Sequence, residues 1–205
     1  MRKLTTSVMI LLFSLSSVGA LNEVQESPYP PTYSYTTIST GFSISAADGE
    51  EVRNAVPVSF QAGVLSNNES GSMAMGFGTR IDIGFGIGSN SRNISIDTMA
   101  GLDMLFRFNR SFAIDVLAGC AFGFTDTDEN PDILTIGPAL SAALRITPAG
   151  FSAVALDAGA AVYGQFGIGD EYTGVNFVPY VSITFDISSW PVLFHPYHSS
   201  HVIIF

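Results

Sequence analysis

The sequence predicts an all-β protein, a transmembrane antiparallel up-and-down β-barrel of eight strands behind a cleaved N-terminal signal peptide. Three observations predict it. From about Tyr33 to Ser188, stretches of 12 to 18 residues alternate apolar with polar or tiny residues, and turn signals separate them; period-two alternation means strands with two chemically different faces. The apolar face is continuous and rich in Phe, Ile, Leu and Met, whereas the other is glycine, alanine and serine with isolated charges. Such a face cannot cover an apolar core, so apolar outward to lipid and polar inward satisfies both faces. Finally, the chain opens with an export leader.

Residues 1–20 have the parts of a secretory signal: Arg2 and Lys3, a short apolar run from Val8 to Leu15, and small residues Val18-Gly19-Ala20 for cleavage near Ala20. The run is too short to span a bilayer as a helix. Residues 21–32 are polar and proline-rich and read as a periplasmic linker, residues 33–188 as the barrel, and residues 189–205 as a C-terminal tail or closing segment.

Eight strands are predicted at 33–46, 55–66, 72–88, 93–109, 112–125, 132–147, 151–168 and 174–188. The fourth is clearest, with Ile94, Ile96, Thr98, Ala100, Leu102, Met104, Phe106 and Phe108 on one face and Ser95, Asp97, Met99, Gly101, Asp103, Leu105, Arg107 and Asn109 on the other. Closure removes unpaired edges, which would cost several kcal/mol per unmade backbone bond in hydrocarbon. Turns Asn67–Gly71, Asn109–Ser111 and Thr147–Gly150 make one compact end. Longer connections at the other end carry Asp48, Glu50, Glu51, Asp126, Asp128, Glu129, Asp170 and Glu171. Outward aromatics fall near both ends: Phe108, Phe112 and Phe151 at the turns, and Phe85, Phe122, Phe124, Phe166 and Phe177 at the loops. A secreted β-sandwich is the competing fold.

This pattern resembles the small eight-stranded outer-membrane barrels of the OmpA, OmpX and OmpW type, over the signal peptide and residues 33–188. The mature length is nearest to OmpW-like members. The resemblance implies the outer membrane of a diderm bacterium, with lipid and the barrel assembly machinery as partners. Tyr180 to Ile187 looks like the terminal signal that this machinery reads, although Ser199 to Phe205 also ends in an aromatic and competes for the closing position.

Nine charges fall on the predicted inner face: Arg80, Asp82, Asp97, Asp103, Arg107, Asp115, Arg145, Asp157 and Asp186. Arginine–aspartate pairs are expected to form a floor toward the compact end. Above it the inner face turns small at Gly84, Gly86, Gly119, Ala121, Gly123, Gly159 and Ala161. Two readings follow: a narrow pore or conduit for small solutes, or a plugged barrel acting as a surface binding, adhesion or envelope structural protein. Eight strands leave an interior that side chains just fill. Pro57, Pro138 and Pro179 lie inside strands near the loop end, each removing a ladder donor. They suggest a rim that opens sideways, against the simpler reading that rim strands tolerate proline.

Composition excludes other classes. Acidic residues outnumber basic ones 18 to 8, and the only lysine is in the leader, so nucleic-acid binding lacks its cationic surface. One cysteine, Cys120, excludes a disulfide framework; Leu117 to Cys120 spells a lipoprotein cleavage box, but in mid-strand. An enzyme is not expected. The lipid-modifying barrels need a histidine base beside a serine, and the histidines are confined to the tail, at His195, His198 and His201. These three do not read as a metal site, because Pro191 and Pro196 oppose a helix there. Asp126 to Asn130 resembles the opening of an EF-hand loop, but Pro131 and Gly137 stand where glycine and glutamate are required. No cofactor is expected, although the acidic loops would hold divalent cations loosely.

Overall fold

A computed structural model describes residues 31–47, 52–86, 93–127, 133–148, 153–169 and 171–187. Among the described residues nine strands form one closed sheet: β1 (Thr32–Gly41), β2 (Ser43–Ala47), β3 (Arg53–Asn67), β4 (Met73–Gly86), β5 (Asn93–Arg107), β6 (Phe112–Thr127), β7 (Ile133–Ile146), β8 (Val154–Gly167) and β9 (Thr173–Asp186). β1 and β2 are one wall interrupted at Phe42, because both pair with β3 and β9 in unbroken register. The barrel therefore has eight walls, as the periodicity predicts, with the first predicted strand split. All pairings are antiparallel between consecutive walls, and the ring closes where β9 meets β1, from Tyr35↔Asp186 to Gly41↔Tyr180.

The closing strand is thus Thr173–Asp186. The competing segment Ser199 to Phe205 lies outside the described residues, as do the leader and the tail histidines. Most of the acidic loop residues lie outside them too, as does Phe151.

β6 has 16 residues, about 53 Å of chain at about 3.3 Å per residue. Tilted by about 40° it rises about 40 Å, more than the apolar band of about 25 Å that such barrels present. The faces divide as the alternation demands. Phe77 is 60% exposed while Arg80, three residues on in the same strand, is 0% exposed. Phe85, Phe122, Phe166 and Phe177 point outward at the loop end, and Phe108 and Phe112 at the turn end. Charges inside and phenylalanines outside invert the arrangement of a water-soluble fold.

Glycine permits the close crossings that so narrow a barrel requires. A Cβ on Gly119 of β6 would fall 2.0 Å from the Ala100 carbonyl oxygen of β5, so only glycine lets the two backbones touch there.

Candidate functional site

The candidate site is the lumen. Seven of the nine predicted charges are buried: Arg80, Asp82, Asp97, Asp103, Asp115, Arg145 and Asp157. Arg107 and Asp186 are half-buried at the turn end.

Near that end Arg145 of β7 gathers side chains from four other walls. Its Nη2 lies 2.6 Å from Asp115 Oδ2 of β6, and its Nε lies 3.0 Å from Asp157 Oδ1 of β8. Its Nη1 donates to the Tyr33 hydroxyl of β1 at 3.3 Å, and Nη2 donates to Thr184 Oγ1 of β9 at 3.4 Å. The guanidinium also lies over the Tyr35 ring, 5.0 Å from its centroid. Below, Arg107 closes the turn end, donating to Asn67 Oδ1 at 2.6 Å and to the Gly71 carbonyl at 3.0 Å. Arg145 thus pairs with two aspartates near the compact end, whereas Arg107 fastens a turn.

The second arginine pair stands higher. Arg80 holds Asp82 by Nε and Nη2, at 3.0 and 2.8 Å, and stacks 3.9 Å from the centroid of Tyr180. Asp82 also accepts from the Tyr163 hydroxyl. β4 and β8, which carry Asp82 and Tyr163, are four walls apart in a ring of eight, so this bond spans the full diameter. Higher still, Asp97 of β5 accepts from Asn176 Nδ2 of the opposite strand β9 at 2.8 Å and from Gln165 Nε2 at 3.1 Å. Asn176 in turn accepts from Ser43 Oγ at 2.7 Å. The Asp97 carboxylate is thus met by neutral amides, not by an arginine.

On the conduit reading the small residues leave open space above the charges, and on the plugged reading they do not. Gly84, Gly123 and Ala161 do line that level, but larger side chains fill it: Met99, Leu117, Tyr163, Val178 and Tyr180, all buried. A second cluster of Tyr33, Tyr35, Leu65, Ala74, Leu105 and Ala113 fills the turn-side half. The inward tyrosines of the first and last walls were missed, and their signal was present: Tyr33 and Tyr35 share one parity, and Tyr180 shares its parity with Asn176 and Thr184. At the loop end a shallow polar recess remains, lined by residues including Ser45, Arg53, Ser95, Thr125, Gln165 and Tyr172.

Each proline stands beside a lapse in pairing on one side only. Pro57, Pro138 and Pro179 pair with Gly84, Cys120 and Ala160 respectively. On the other side, β7–β8 pairing skips from Ile136↔Phe166 to Ala139↔Tyr163 beside Pro138. Pairing around Gly41 and Phe42 skips likewise between Pro57 and Pro179. The walls nevertheless touch at these lapses. A Cβ on Gly41 would lie 2.0 Å from the Pro179 oxygen, and one on Gly137 would lie 2.0 Å from the Gly164 oxygen. Phe42 also donates its N–H to that Pro179 oxygen at 3.1 Å.

Among the described residues no group of three or more His, Cys, Asp and Glu is placed to hold a metal ion. No protein-family model and no curated protein matches the sequence. Solved structures do. Neisserial surface protein A (NspA) superposes with a TM-score of 0.56 at 11% identity, covering 76% of this chain and 97% of its own. Ail, the attachment invasion locus protein of Yersinia pestis, gives 0.49 at 15% identity over 74% of this chain and 98% of its own. At such identity the NspA likeness is one of fold: the chain has the fold of the small eight-stranded outer-membrane barrels.

Proposed function

We propose that this protein is an integral outer-membrane barrel of a diderm bacterium that is closed at rest. It would act without catalysis as a rigid scaffold presenting its loop end at the cell surface. The observation that carries this reading is the lumen itself, where five walls converge on Arg145 and the Tyr163–Asp82 bond crosses the barrel higher up. A route for solutes would have to break both tiers. The exposed apolar exterior supports immersion in lipid, since an aqueous surface rarely carries apolar patches beyond a few hundred Å². The close approaches at Gly41 and Gly137 support a wall that is shut beside the strand prolines. The acidic loops would favour surface partners that bring cations, including divalent ions bridging lipid head-group phosphates.

The conduit reading makes the opposite prediction in a planar bilayer. Full-length mature protein folded into such a bilayer is expected to give no conductance steps, and Arg107→Ala, which loosens only the turn end, is expected to give none either. Steady unit steps from the wild-type protein would overturn the closed reading and restore the pore.

A further inference from the structure

Among the described residues the buried lumen holds five carboxyl groups, Asp82, Asp97, Asp103, Asp115 and Asp157, against two buried arginines, Arg80 and Arg145. Removing an ion from water costs several kcal/mol unless it is paired and hydrogen-bonded, so three unmatched negative charges are a severe imbalance. Asp82 has Arg80, Asp115 and Asp157 share Arg145, and Asp97 has two amide donors. That leaves Asp103 with no arginine and Asp115 with a shared one. They face the lumen from adjacent strands and stand diagonally across one rung, because Asp103 is opposite Leu117 and Asp115 is opposite Leu105. Diagonal positions on one face are cross-strand neighbours, and Tyr35, bonded to Asp103, has its ring beneath the Arg145 guanidinium that binds Asp115, so the two acids share one cluster.

The donors that reach them have other partners too. Tyr35 of β1 donates its hydroxyl to Asp103 Oδ2, and Gln61 of β3 donates to that hydroxyl at 2.7 Å. Arg145 of β7 donates to Asp115 Oδ2 and also holds Asp157 of β8. Tyr33 of β1 binds Arg145. One oxygen of each acid, Asp103 Oδ1 and Asp115 Oδ1, is reached by no donor. The site is also tightly built: a Cβ on Gly63 or Gly78 would fall 2.5 or 2.6 Å from Asp103 Oδ2. Two carboxylates meeting without a donor repel. A metal cation would need about six oxygen ligands, and the flanking Leu105 and Leu117 supply none.

We propose that Asp103 and Asp115 bind one proton between them, as a carboxylic acid donating to a carboxylate. The proton removes one unmatched charge and turns a repulsive contact into a strong hydrogen bond between O–H and O⁻. It joins the Tyr35–Gln61 side of the lumen to the Arg145 cluster.

Infrared spectra of the full-length protein folded in micelles test this. A protonated carboxyl shows a C=O stretch separate from the carboxylate bands and shifted in D₂O. The folded wild type is expected to show that band. Asp103→Asn and Asp115→Asn are each expected to lower its intensity by one carboxyl. Asp186→Asn, at the half-buried turn end, is expected to leave it unchanged. Tyr35→Phe removes the donor to Asp103 Oδ2 while leaving both carboxyl groups in the chain; it is expected to move the band while keeping its intensity, which guards against an Asn variant that does not fold. Absence of the band in the folded wild type would overturn the proposal. So would a band that neither Asn variant changes, or one that Tyr35→Phe leaves in place while no Asn variant folds.

Discussion

Tyr163 of β8 donates a hydrogen bond from its hydroxyl to Asp82 of β4, four walls away whichever way the ring is followed. A hydrogen bond across the whole width of a barrel is available only where the interior is no wider than two side chains, which is the eight-stranded case. Tyr163→Phe keeps the ring and removes the bond, and Asp82 retains Arg80. The expected cost is about 1.5–3 kcal/mol, as for a hydrogen bond to a charged group, read as a lower urea midpoint for unfolding from lipid vesicles.

Arg145 is the more demanding test of the lumen. Arg145→Met approximates its length but leaves Asp115 and Asp157 as buried charges without their counterion. Breaking such a cluster from one side is expected to cost about 3–5 kcal/mol. Adding Asp115→Asn and Asp157→Asn to the same chain is expected to recover much of that loss, because it removes the stranded charges. Equal instability of the single and triple variants in urea titration would show that shape, not charge, sets the cost.

Asp97 is expected to behave oppositely. Its two donors, Asn176 Nδ2 and Gln165 Nε2, are neutral, so Asp97→Asn removes an unmatched buried charge while keeping an acceptor. The same titration is expected to place it within about 1 kcal/mol of wild type.

Gly78 tests the fit around Asp103. A methyl group there would sit 2.6 Å from Asp103 Oδ2 and 3.0 Å from its Cβ, with strand β4 fixed on both sides by pairing. Gly78→Ala is expected to cost about 1–3 kcal/mol through overpacking. Gly169→Ala separates this from glycine loss in general: its φ is +92° but nothing lies within 4 Å of the added carbon. It is expected to cost about 1 kcal/mol, from backbone strain alone.

The inside–outside division was legible because a strand has period two and the exterior must be apolar at every second position. β5 shows this directly, with Asp97, Asp103 and Leu105 buried and Ile94, Ile96 and Leu102 exposed. Which acid meets which arginine was not legible. Partners such as Asp115 and Arg145 depend on register between neighbouring strands, and Asp82 and Tyr163 depend on the tilt that brings opposite walls level. Nor did the small residues of the sequence reveal a filled interior. Gly84 and Gly123 are small because Ser95, Thr135 and Asp97 occupy the adjacent space, not because space is left over. The first and last walls hid their tyrosines for a simpler reason. Thr36 and Ser34 make the outer face of β1 nearly as polar as the inner one, so periodicity alone did not orient it.

Orientation in lipid can be read at the only cysteine in the chain, Cys120, which is exposed on the outer face halfway along the 16-residue β6, between Ala100 and Pro138. The decisive measurement is its rate of labelling by a charged, water-soluble maleimide in protein folded into lipid vesicles, compared with the urea-unfolded chain. Cys120 is expected to resist the charged reagent when folded and to react readily once unfolded. Rapid labelling of the folded, vesicle-bound protein would put that face in water and contradict the lipid-facing barrel.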